Sequence, residues 1–347
     1  MSISDVKQPR VRSFALGAYV GGLAFTNDGE TLAAATGAGD VHLIDVAGEG
    51  IKVAKAHGGA VLSFAAHPDG VSFLSGGDDG RIVRTARDGS TTEIAKFQGR
   101  WIDVLAVHAT GSFACGIGKE AKLWARGAAE PATLGPHPST VAALDFSPDG
   151  SRVTAAHYGG VSVWQVAKPK EKARTLNWKG SHVHLRYSPN GRFLATTTQD
   201  NAIHVWRLSS GQDMQMAGYR TKVRQLVWTH DSRWLLSDAA DCFVAWDFSG
   251  KGPEGQPPLE FGFGDGTIMT GIAGHPAAPF LVGGFERGGV RLGDLEGKRE
   301  LVLRESDEDD GRPLRAVAFS PDGWRVAAGG EDGTVVTFDL KTEPAAS

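Results

Sequence analysis

The chain has 347 residues, of which 41% are hydrophobic, and it contains 47 glycines against 16 prolines. This composition is ordinary for a soluble globular protein and indicates many tight turns and few stiff linkers, as in all-β proteins. The formal net charge of −4 gives no general attraction to phosphate backbones or anionic lipid, so neither nucleic acid nor membrane is expected as a partner.

The first residues, MSISDVKQPRVRSF, lack the apolar core of a signal peptide, and no run of about 18 apolar residues is present to span a bilayer. We therefore expect a cytoplasmic protein. The two cysteines, Cys115 and Cys242, lie far apart and do not indicate a disulfide framework, which fits a reducing compartment. Both are predicted to be buried structural thiols.

After a tail, residues 1–10, the first predicted strand is VRSFAL, residues 11–16. Eight repeat units follow, each built around a turn of the Phe-Ser-Pro-Asp-Gly type. The turns end at Gly29, Gly70, Gly111, Gly150, Gly191, Ser232, Ala278 and Gly323. The intervals between them are 41, 41, 39, 41, 41, 46 and 45 residues. A period of roughly 40 to 45 residues is that of a four-stranded propeller blade.

Each unit has the same predicted strands. An alternating strand such as VAALDFS precedes the turn, an apolar strand such as RVTAAH follows it, and a third strand such as VSVWQV comes next. A fourth short apolar run separates several units, at residues 51–56, 91–97, 173–178, 259–263 and 299–305. The pattern thus predicts four strands per unit.

The last unit lacks its own fourth strand, because only KTEPAAS follows Leu340. Residues 11–16 fit that position, and closing a ring in this way removes exposed sheet edges. The sequence therefore predicts one closed all-β propeller of eight four-stranded blades over residues 11–340, followed by a tail, residues 341–347. Seven blades are the alternative, in which the weak unit at 267–295 is a loop.

The chain resembles the WD-repeat β-propeller family in its repeat length, its strand order, its Phe-Ser-Pro-Asp-Gly turns and the aromatic residue that ends the third strand. That aromatic residue stands at Trp124, Trp164, Trp206, Trp246 and Phe338. The resemblance implies a buried chain of His, Ser or Thr, Asp and Trp within a blade. Asp79, Asp200 and Asp332 stand at the Asp position and His57 and His137 at the His position, but no unit shows all four members.

A metal site is one alternative. His182 and His184 are two residues apart on a predicted strand, where side chains share a face, and His157 of the neighbouring blade is the third candidate ligand. Zinc normally needs three or four ligands. The favoured prediction is no metal and no cofactor, with a metal-handling accessory protein as the alternative.

Catalytic motifs are not found: no nucleophile elbow, phosphate-binding loop or dinucleotide fingerprint stands in a strand-to-helix context. The pairs Gly76-Gly77 and Gly329-Gly330 fall in second strands and are interpreted as blade packing. Asp103 is the one acidic residue placed near the start of an inner strand. We therefore predict a protein that is not an enzyme, with a small-molecule site at the central channel as the alternative.

The resemblance implies a protein-binding face, built from the loops that enter the innermost strands and the turns that join second to third strands. The entry loops carry Tyr19, Trp101, Asp103, Lys222, Arg224 and Arg315, and the turns carry Asp78, His157, Gln199, Glu286 and Glu331. Trp101, which follows Arg100, is the predicted anchor, because aromatic residues and arginine often carry interface energy. Its alternative role is core packing against the next blade.

The predicted face is bipolar. Basic residues are concentrated in the middle units, at Arg100, Lys119, Lys179, Arg220, Lys222 and Arg224. Acidic residues flank the predicted ring closure, at Asp307, Glu308, Asp309, Asp310, Glu331, Asp332, Asp40 and Asp78. The run ESDEDDGR, residues 305–312, occupies an entry loop. Such a field orients a charged partner. The sequence thus predicts a scaffold or accessory protein, a monomeric ring within a larger complex, whose protein partner it does not identify.

Overall fold

A computed structural model describes residue 6 and residues 9–48, 50–250 and 252–341. Every regular element in these residues is a β-strand, so the predicted all-β class is confirmed. The predicted tails, residues 1–10 and 341–347, lie mostly outside the described residues. The described strands are numbered β1 to β30 in chain order.

The N-terminal strand and the strands of the first three repeat units follow one another at short intervals. They are β1 Arg10–Ala15, β2 Val20–Phe25, β3 Thr31–Thr36, β4 Asp40–Asp45, β5 Ile51–Lys55, β6 Val61–Ala66, β7 Ser72–Gly77, β8 Arg81–Ala86, β9 Thr91–Lys96, β10 Val104–Val107, β11 Phe113–Ile117, β12 Glu120–Trp124 and β13 Ala132–Leu134.

The later strands include two of 14 residues each, β15 and β16. They are β14 Ala143–Phe146, β15 Arg152–Gln165, β16 Arg174–Tyr187, β17 Phe193–Thr198, β18 Ala202–Arg207, β19 Asp213–Met216, β20 Leu226–Trp228, β21 Trp234–Ser237, β22 Phe243–Asp247, β23 Leu259–Phe261, β24 Met269–Gly274, β25 Phe280–Phe285, β26 Val290–Asp294, β27 Arg299–Arg304, β28 Leu314–Phe319, β29 Arg325–Gly330 and β30 Thr334–Asp339.

The described strands form seven sheets, six with four strands and one with six. In five of the four-stranded sheets the strand order follows the chain: β2 to β5, β6 to β9, β10 to β13, β20 to β23 and β24 to β27. The sixth has the order β1-β30-β29-β28, and the six-stranded sheet runs from β14 to β19.

The predicted pairing of the N-terminal strand with the last unit is confirmed. β1 pairs antiparallel with β30, from Arg10 opposite Asp339 to Ala15 opposite Thr334. Arg12 also ties β1 to the turn after β4, because its guanidinium donates hydrogen bonds to three carbonyl oxygens of that turn. The acceptors are those of Val46 at 2.8 Å, Gly48 at 2.7 Å and Ala47 at 2.9 Å.

The count of eight separate four-stranded blades is not supported, whereas seven sheets agree with the alternative of seven blades. The fourth and fifth repeat units share one sheet, because β16 pairs with β15 from Arg174 to Ser181 and with β17 from His182 to Tyr187. The alternative of seven blades was expected to arise because residues 267–295 form a loop, and that reason was wrong. Residues 267–295 are not a loop; they contain β24, β25 and β26, which pair in one sheet with β27.

The recurring turn is closed by its own side chains. Between β14 and β15, the hydroxyl of Ser147 donates to Asp149 Oδ1 at 2.5 Å and accepts the backbone N–H of Arg152 at 3.0 Å. Gly150 then adopts a φ of 68°, a conformation that glycine enters without steric cost. The same hydroxyl bonding recurs at Thr26, Ser188, Thr229 and Ser320. At these five units the recurring turn in the sequence therefore encodes a tight strand connection.

The chain forms two compact units. The first consists of the described residues up to Ala38, residues 42–52 and the described residues from Val227 onward; the second consists of residues 39–41 and 53–226. The first contains a core in which Phe25, Leu32 and Ile44 pack with Ala327 and Val335.

The second unit has a comparable core between neighbouring sheets. Leu123 and Leu134 of one sheet pack there with Leu144, Phe146 and Trp164 of the next. All of these side chains are buried. Fixed sheets of this kind leave the connecting loops as the segments that present side chains to solvent.

Candidate functional site

The Trp101 loop, residues 97–103, joins β9 to β10 in the second unit. Its backbone is bonded to the preceding sheet at both ends: Phe97 N–H donates to Gly80 O at 2.8 Å, and Ile102 N–H donates to Gly77 O at 3.1 Å. The hydroxyl of Ser63 donates to Ile102 O at 2.7 Å. The loop is therefore held in one position by the strands beneath it.

Trp101 and Ile102 are consecutive residues in opposite environments. Ile102 is fully buried, whereas Trp101 is 67% exposed, and Asp103 after it is exposed. The alternative that Trp101 packs in the core is therefore wrong. The loop buries one apolar side chain as its anchor and presents the neighbouring indole to solvent.

Gly76, at the end of β7, makes room for this anchor. A Cβ on Gly76 would lie 2.5 Å from Ile102 Cγ2 and 2.6 Å from Ile102 O. Real Cβ atoms do not approach other heavy atoms this closely. The interpretation of the Gly76-Gly77 pair as a packing feature is confirmed.

A hydrogen-bonded chain supports the turn at Asp78. His57 Nε2 lies 2.8 Å from Ser75 Oγ, and His57 Nδ1 lies 3.0 Å from Asp79 Oδ1. Partial burial raises the pKa of Asp79, but hydrogen bonds from Gly58 N–H and His57 outweigh it and lower the pKa overall. His57, Ser75 and Asp79 are thus three of the four members of the hydrogen-bonded series that the resemblance implies. The half-buried residue Asp78 lies on the turn that these bonds support.

His157 does not lie on the exposed face, so this part of the prediction was wrong. The residue is 2% exposed, and both ring nitrogens are engaged, Nδ1 with Tyr158 O at 2.8 Å and Nε2 with Ser162 Oγ at 2.9 Å. Tyr158, which the sequence reasoning missed, is 60% exposed beside it. Its N–H donates to Ser139 Oγ at 2.8 Å. The available signal was the glycine pair at 159–160, where both residues have positive φ and the pairing of β15 with β16 shifts register.

His182 and His184 do not share a face of β16, and this prediction was also wrong. A bulge lies between them: His182 is opposite Thr198 and His184 is opposite Thr197 of β17. Because adjacent residues of a strand point to opposite faces, the two imidazoles point apart. His182 already uses both ring nitrogens, on Thr196 Oγ1 at 2.8 Å and on the carbonyl of Trp178 at 3.3 Å.

In the part of the chain that the structure describes, no group of three or more His, Cys, Asp and Glu side chains is placed to hold a metal ion. Cys115 and Cys242 are free and buried, as predicted. Burial raises the pKa of each thiol to about 12, which keeps both protonated and unreactive. Among the same described residues there is no helix long and apolar enough to cross a membrane.

A cleft lies beside the Trp101 loop, with a volume of about 580 Å³. We call it the Arg100 cleft; it is lined by Phe97, Gln98, Arg100, Ile117, Lys119, Glu120, Lys122 and Pro136. Arg100 Nη1 lies 3.8 Å from the position of a Cβ on Gly118, in the turn between β11 and β12. Lys122 Nζ donates to Glu120 Oε2 at 2.9 Å and to Thr133 Oγ1 at 2.8 Å.

Three further predicted face residues belong to the second unit. Gln199, in the turn between β17 and β18, and Arg224, before β20, are exposed, whereas Lys222 is half-buried. The backbone N–H of Gln199 donates to Ser181 O at 3.0 Å, which holds that turn against β16.

In the first unit, Tyr19 is 42% exposed and its ring covers Gly21 and Gly37. Arg315 Nε donates to Glu331 Oε1 at 2.5 Å, so these two predicted face residues neutralise each other. Glu286 is half-buried, and its N–H donates to Ile268 O at 2.9 Å.

The sequence reasoning also missed Phe263, which is 65% exposed between β23 and β24. Arg291 is buried beneath this loop, with 4% of the residue exposed. Its guanidinium forms ion pairs with Asp265 at 3.2 Å and with Glu300 at 3.6 Å. The guanidinium occupies the space where a side chain on Gly264 would lie. The Phe-Gly-Phe-Gly-Asp-Gly segment was the available signal, since closely spaced glycines allow a tight loop that projects one aromatic residue.

A family model described as "WD domain, G-beta repeat" matches the chain at residues 48–83, 130–165, 171–207 and 302–339. The chain is 27% identical over 229 residues to a guanine nucleotide-binding protein subunit beta of Arabidopsis thaliana, over 60% of this chain and 58% of the relative. It is 26% identical over 246 residues to nuclear distribution protein PAC1 of Arthroderma otae, over 61% of this chain and 52% of the relative.

A third similar protein is Protein HIR1 of Aspergillus oryzae, with 29% identity over 140 residues, which are 30% of this chain and 13% of the relative. The chain thus spans little more than half the length of the first two relatives and a small part of the third.

Proposed function

Because the chain belongs to the WD-repeat β-propeller family, we propose that it is a non-catalytic scaffold or accessory protein of the cytoplasm that binds another protein through its strand-entry loops. The similar proteins include a named subunit of a guanine nucleotide-binding protein. A protein-interaction kind of function therefore agrees with the family, and the choice of surface rests on the loops.

One observation carries this proposal: Trp101 is 67% exposed on a loop whose backbone is fixed. Tryptophan is enriched among residues that dominate binding energy, at about 2 kcal/mol or more each. A loop that is already ordered loses little conformational entropy when a partner binds. Trp101 therefore has both the chemistry and the rigidity of an interface anchor.

Charge on the loops of each unit, taken separately, supports a protein-binding role. In the second unit Arg100, Lys119 and Arg224 are exposed on entry loops and turns. In the first unit the exposed residues Asp307, Glu308, Asp309 and Asp310 follow one another before β28. Complementary charge on a partner would mainly increase the association rate and would lose its effect at high salt.

The experiment is affinity capture from native lysate with quantitative mass spectrometry, followed by binding of the captured protein, once purified, to the purified chain. Trp101→Ala with Arg224→Glu is the test variant. The control is Val71→Ala with Lys170→Glu, which removes a 47% exposed side chain and reverses an exposed charge elsewhere. Circular dichroism checks the fold of each.

We expect one stoichiometric protein to be lost from the test variant and kept by the control. If the test variant captures the same proteins in the same amounts as wild type, the proposal is wrong.

A further inference from the structure

The Arg100 cleft combines an apolar wall with a basic rim. Phe97, Ile117 and Pro136 supply the wall, and Arg100 and Lys119 stand at its edge as exposed side chains. Its volume of about 580 Å³ lies in the range of ligand sites, roughly 300–1,000 Å³. The cleft thus has room for a short run of side chains.

Two of its cations are available for a partner. Lys122 forms an ion pair with Glu120, and its side chain is 18% exposed. Within the described residues, neither Arg100 nor Lys119 forms an ion pair, and Glu120 is the one carboxylate among the lining residues. The lining therefore carries a net charge of about +2, concentrated on two exposed groups.

The cleft is built on rigid parts. The ring of Phe97 meets the ring of Trp124 edge-on at 6.4 Å, and the ring of Phe113 stacks on Trp124 at 4.6 Å. Gly118, beside the Arg100 guanidinium, has a φ of 58°, which fixes the turn that carries Lys119. The two cations are therefore presented by segments whose positions are set by packing.

We infer that the Arg100 cleft binds an acidic peptide segment of a partner protein. Carboxylates of the segment pair with Arg100 and Lys119, and a neighbouring aliphatic side chain packs against Phe97, Ile117 and Pro136. The arginine guanidinium matches a carboxylate with two parallel N–H donors, which gives the contact direction as well as charge. This inference rests on the proposed function, since it assigns the partner's chemistry at a site beside the Trp101 loop.

A peptide fits this cleft better than a nucleic acid does. Specific nucleic-acid binding commonly uses on the order of 6–10 phosphate contacts, and the cleft offers two unpaired cations next to a carboxylate. The apolar wall also needs an apolar partner, and an aliphatic side chain provides one.

The test is fluorescence anisotropy with the full chain and a labelled synthetic peptide that contains four Asp and Glu residues around one Leu. Asn and Gln replace the acids in a control peptide. Arg100→Glu with Lys119→Glu is the test variant, and Lys170→Glu with Lys172→Glu is the matched control, which changes the net charge equally at exposed positions of an outer loop. Arg100→Gln with Lys119→Gln is used if the first variant does not fold.

We expect the acidic peptide to bind wild type and the control variant at least ~10-fold more tightly than the test variant, with binding weakened by added salt. Equal losses in the test and control variants would show a net-charge effect and overturn the inference. So would equal binding of the neutral peptide, or tighter binding of an RNA oligonucleotide of the same length.

A second copy of the chain is the other occupant to test, because the chain carries its own acidic segment at residues 305–310. Self-association in sedimentation velocity that Arg100→Glu with Lys119→Glu removes would overturn the inference in favour of that copy. If capture of the partner depends on Trp101 but not on Arg100 and Lys119, the inference fails while the proposed function holds.

Discussion

Ile102 Cγ2 lies 2.5 Å from the position that a Cβ on Gly76 would occupy, so the end of β7 and the Trp101 loop pack together without room for one more carbon atom. Ser63 Oγ, at 2.6 Å from the same position, closes the remaining side. The loop that presents the exposed indole is therefore positioned by a glycine in the neighbouring strand.

Gly76→Ala is expected to lower the free energy of unfolding by about 1–3 kcal/mol, because extra volume in a packed site forces neighbouring groups apart. Urea denaturation followed by tryptophan fluorescence measures the change. Gly58→Ala is the control, since a Cβ there meets nothing within 4 Å. Equal stability of the two variants would show that the Trp101 loop shifts to accept the added methyl group and is not fixed by the packing of Ile102.

Removing the hydroxyl group of Ser75 and removing that of Thr85, in the same sheet, are expected to have opposite effects on stability. Ser75 Oγ is hydrogen-bonded to His57 Nε2 at 2.8 Å, whereas Thr85 Oγ1 is buried and has no hydrogen-bond partner in the part of the chain that the structure describes. Ser75→Ala leaves a buried ring nitrogen without its partner and is expected to cost about 1–3 kcal/mol. Thr85→Val removes an unsatisfied oxygen at nearly constant shape and is expected to be neutral or stabilising. Chemical denaturation of both variants checks the pair, and a greater loss in Thr85→Val would contradict the bonding described here.

The pH dependence of stability is expected to include a clear contribution from His204. Its ring stacks on Trp178 at 4.0 Å and meets Trp206 edge-on at 4.4 Å. Neither ring nitrogen has a hydrogen-bond partner among the described residues, and burial lowers the pKa of His204 to about 3. The folded state keeps this imidazole neutral, whereas the unfolded state binds a proton below about pH 6.5. The stabilising contribution of neutral His204 is therefore fully present above about pH 6.5 and is lost as the pH falls towards 3.

At pH 5 this one group is expected to remove about 2 kcal/mol relative to pH 7. The measurement is the free energy of unfolding at both pH values for wild type and His204→Phe, which keeps an aromatic ring between the indoles. The variant should lose less stability on acidification. An unchanged pH dependence would show that His204 is not a source of acid sensitivity.

The sequence predicted the strand pattern well because that pattern is local. Turn chemistry such as Ser147 with Asp149 and Gly150 closes within a few residues, and the pairing of residues 11–16 with the last strand followed from counting strands. The number of sheets depends on whether β16 continues through Lys179 and Gly180, and nothing in the spacing of apolar residues decides that. The blade count was therefore the part of the fold that the repeats left open.

In the candidate site, too, the sequence predicted local features and missed those that depend on contacts between distant residues or on strand irregularities. Trp101 was identified from its place at a strand entry, but the direction of its side chain depends on the burial of Ile102 against Gly76, which is distant in sequence. His184 was misplaced because one extra residue in β16 reverses the face of every residue after it. His157 was misplaced because it lies within β15 and not in a turn, so strand alternation buries the histidine and exposes Tyr158.

The buried guanidinium of Arg291 is expected to be one of the most sensitive charged positions in the first unit. It contacts Asp265 at 3.2 Å and Glu300 at 3.6 Å, and it lies over the ring of Phe285 at 4.8 Å. Arg291→Ala leaves two carboxylates, which are 31% and 23% exposed, without their cation and is expected to cost about 1–3 kcal/mol, because partly buried charged groups lose their partner.

Arg287→Ala is the matched control, as an exposed arginine on the preceding turn. Arg291→Met combined with Asp265→Asn and Glu300→Gln should regain much of the loss, because it removes the charges together while keeping similar volume. Thermal and urea unfolding of the three variants measure the difference. If Arg291→Ala is no more destabilising than Arg287→Ala, the ion pairs do not hold the Phe263 loop, and the exposure of Phe263 must then depend on its glycines alone.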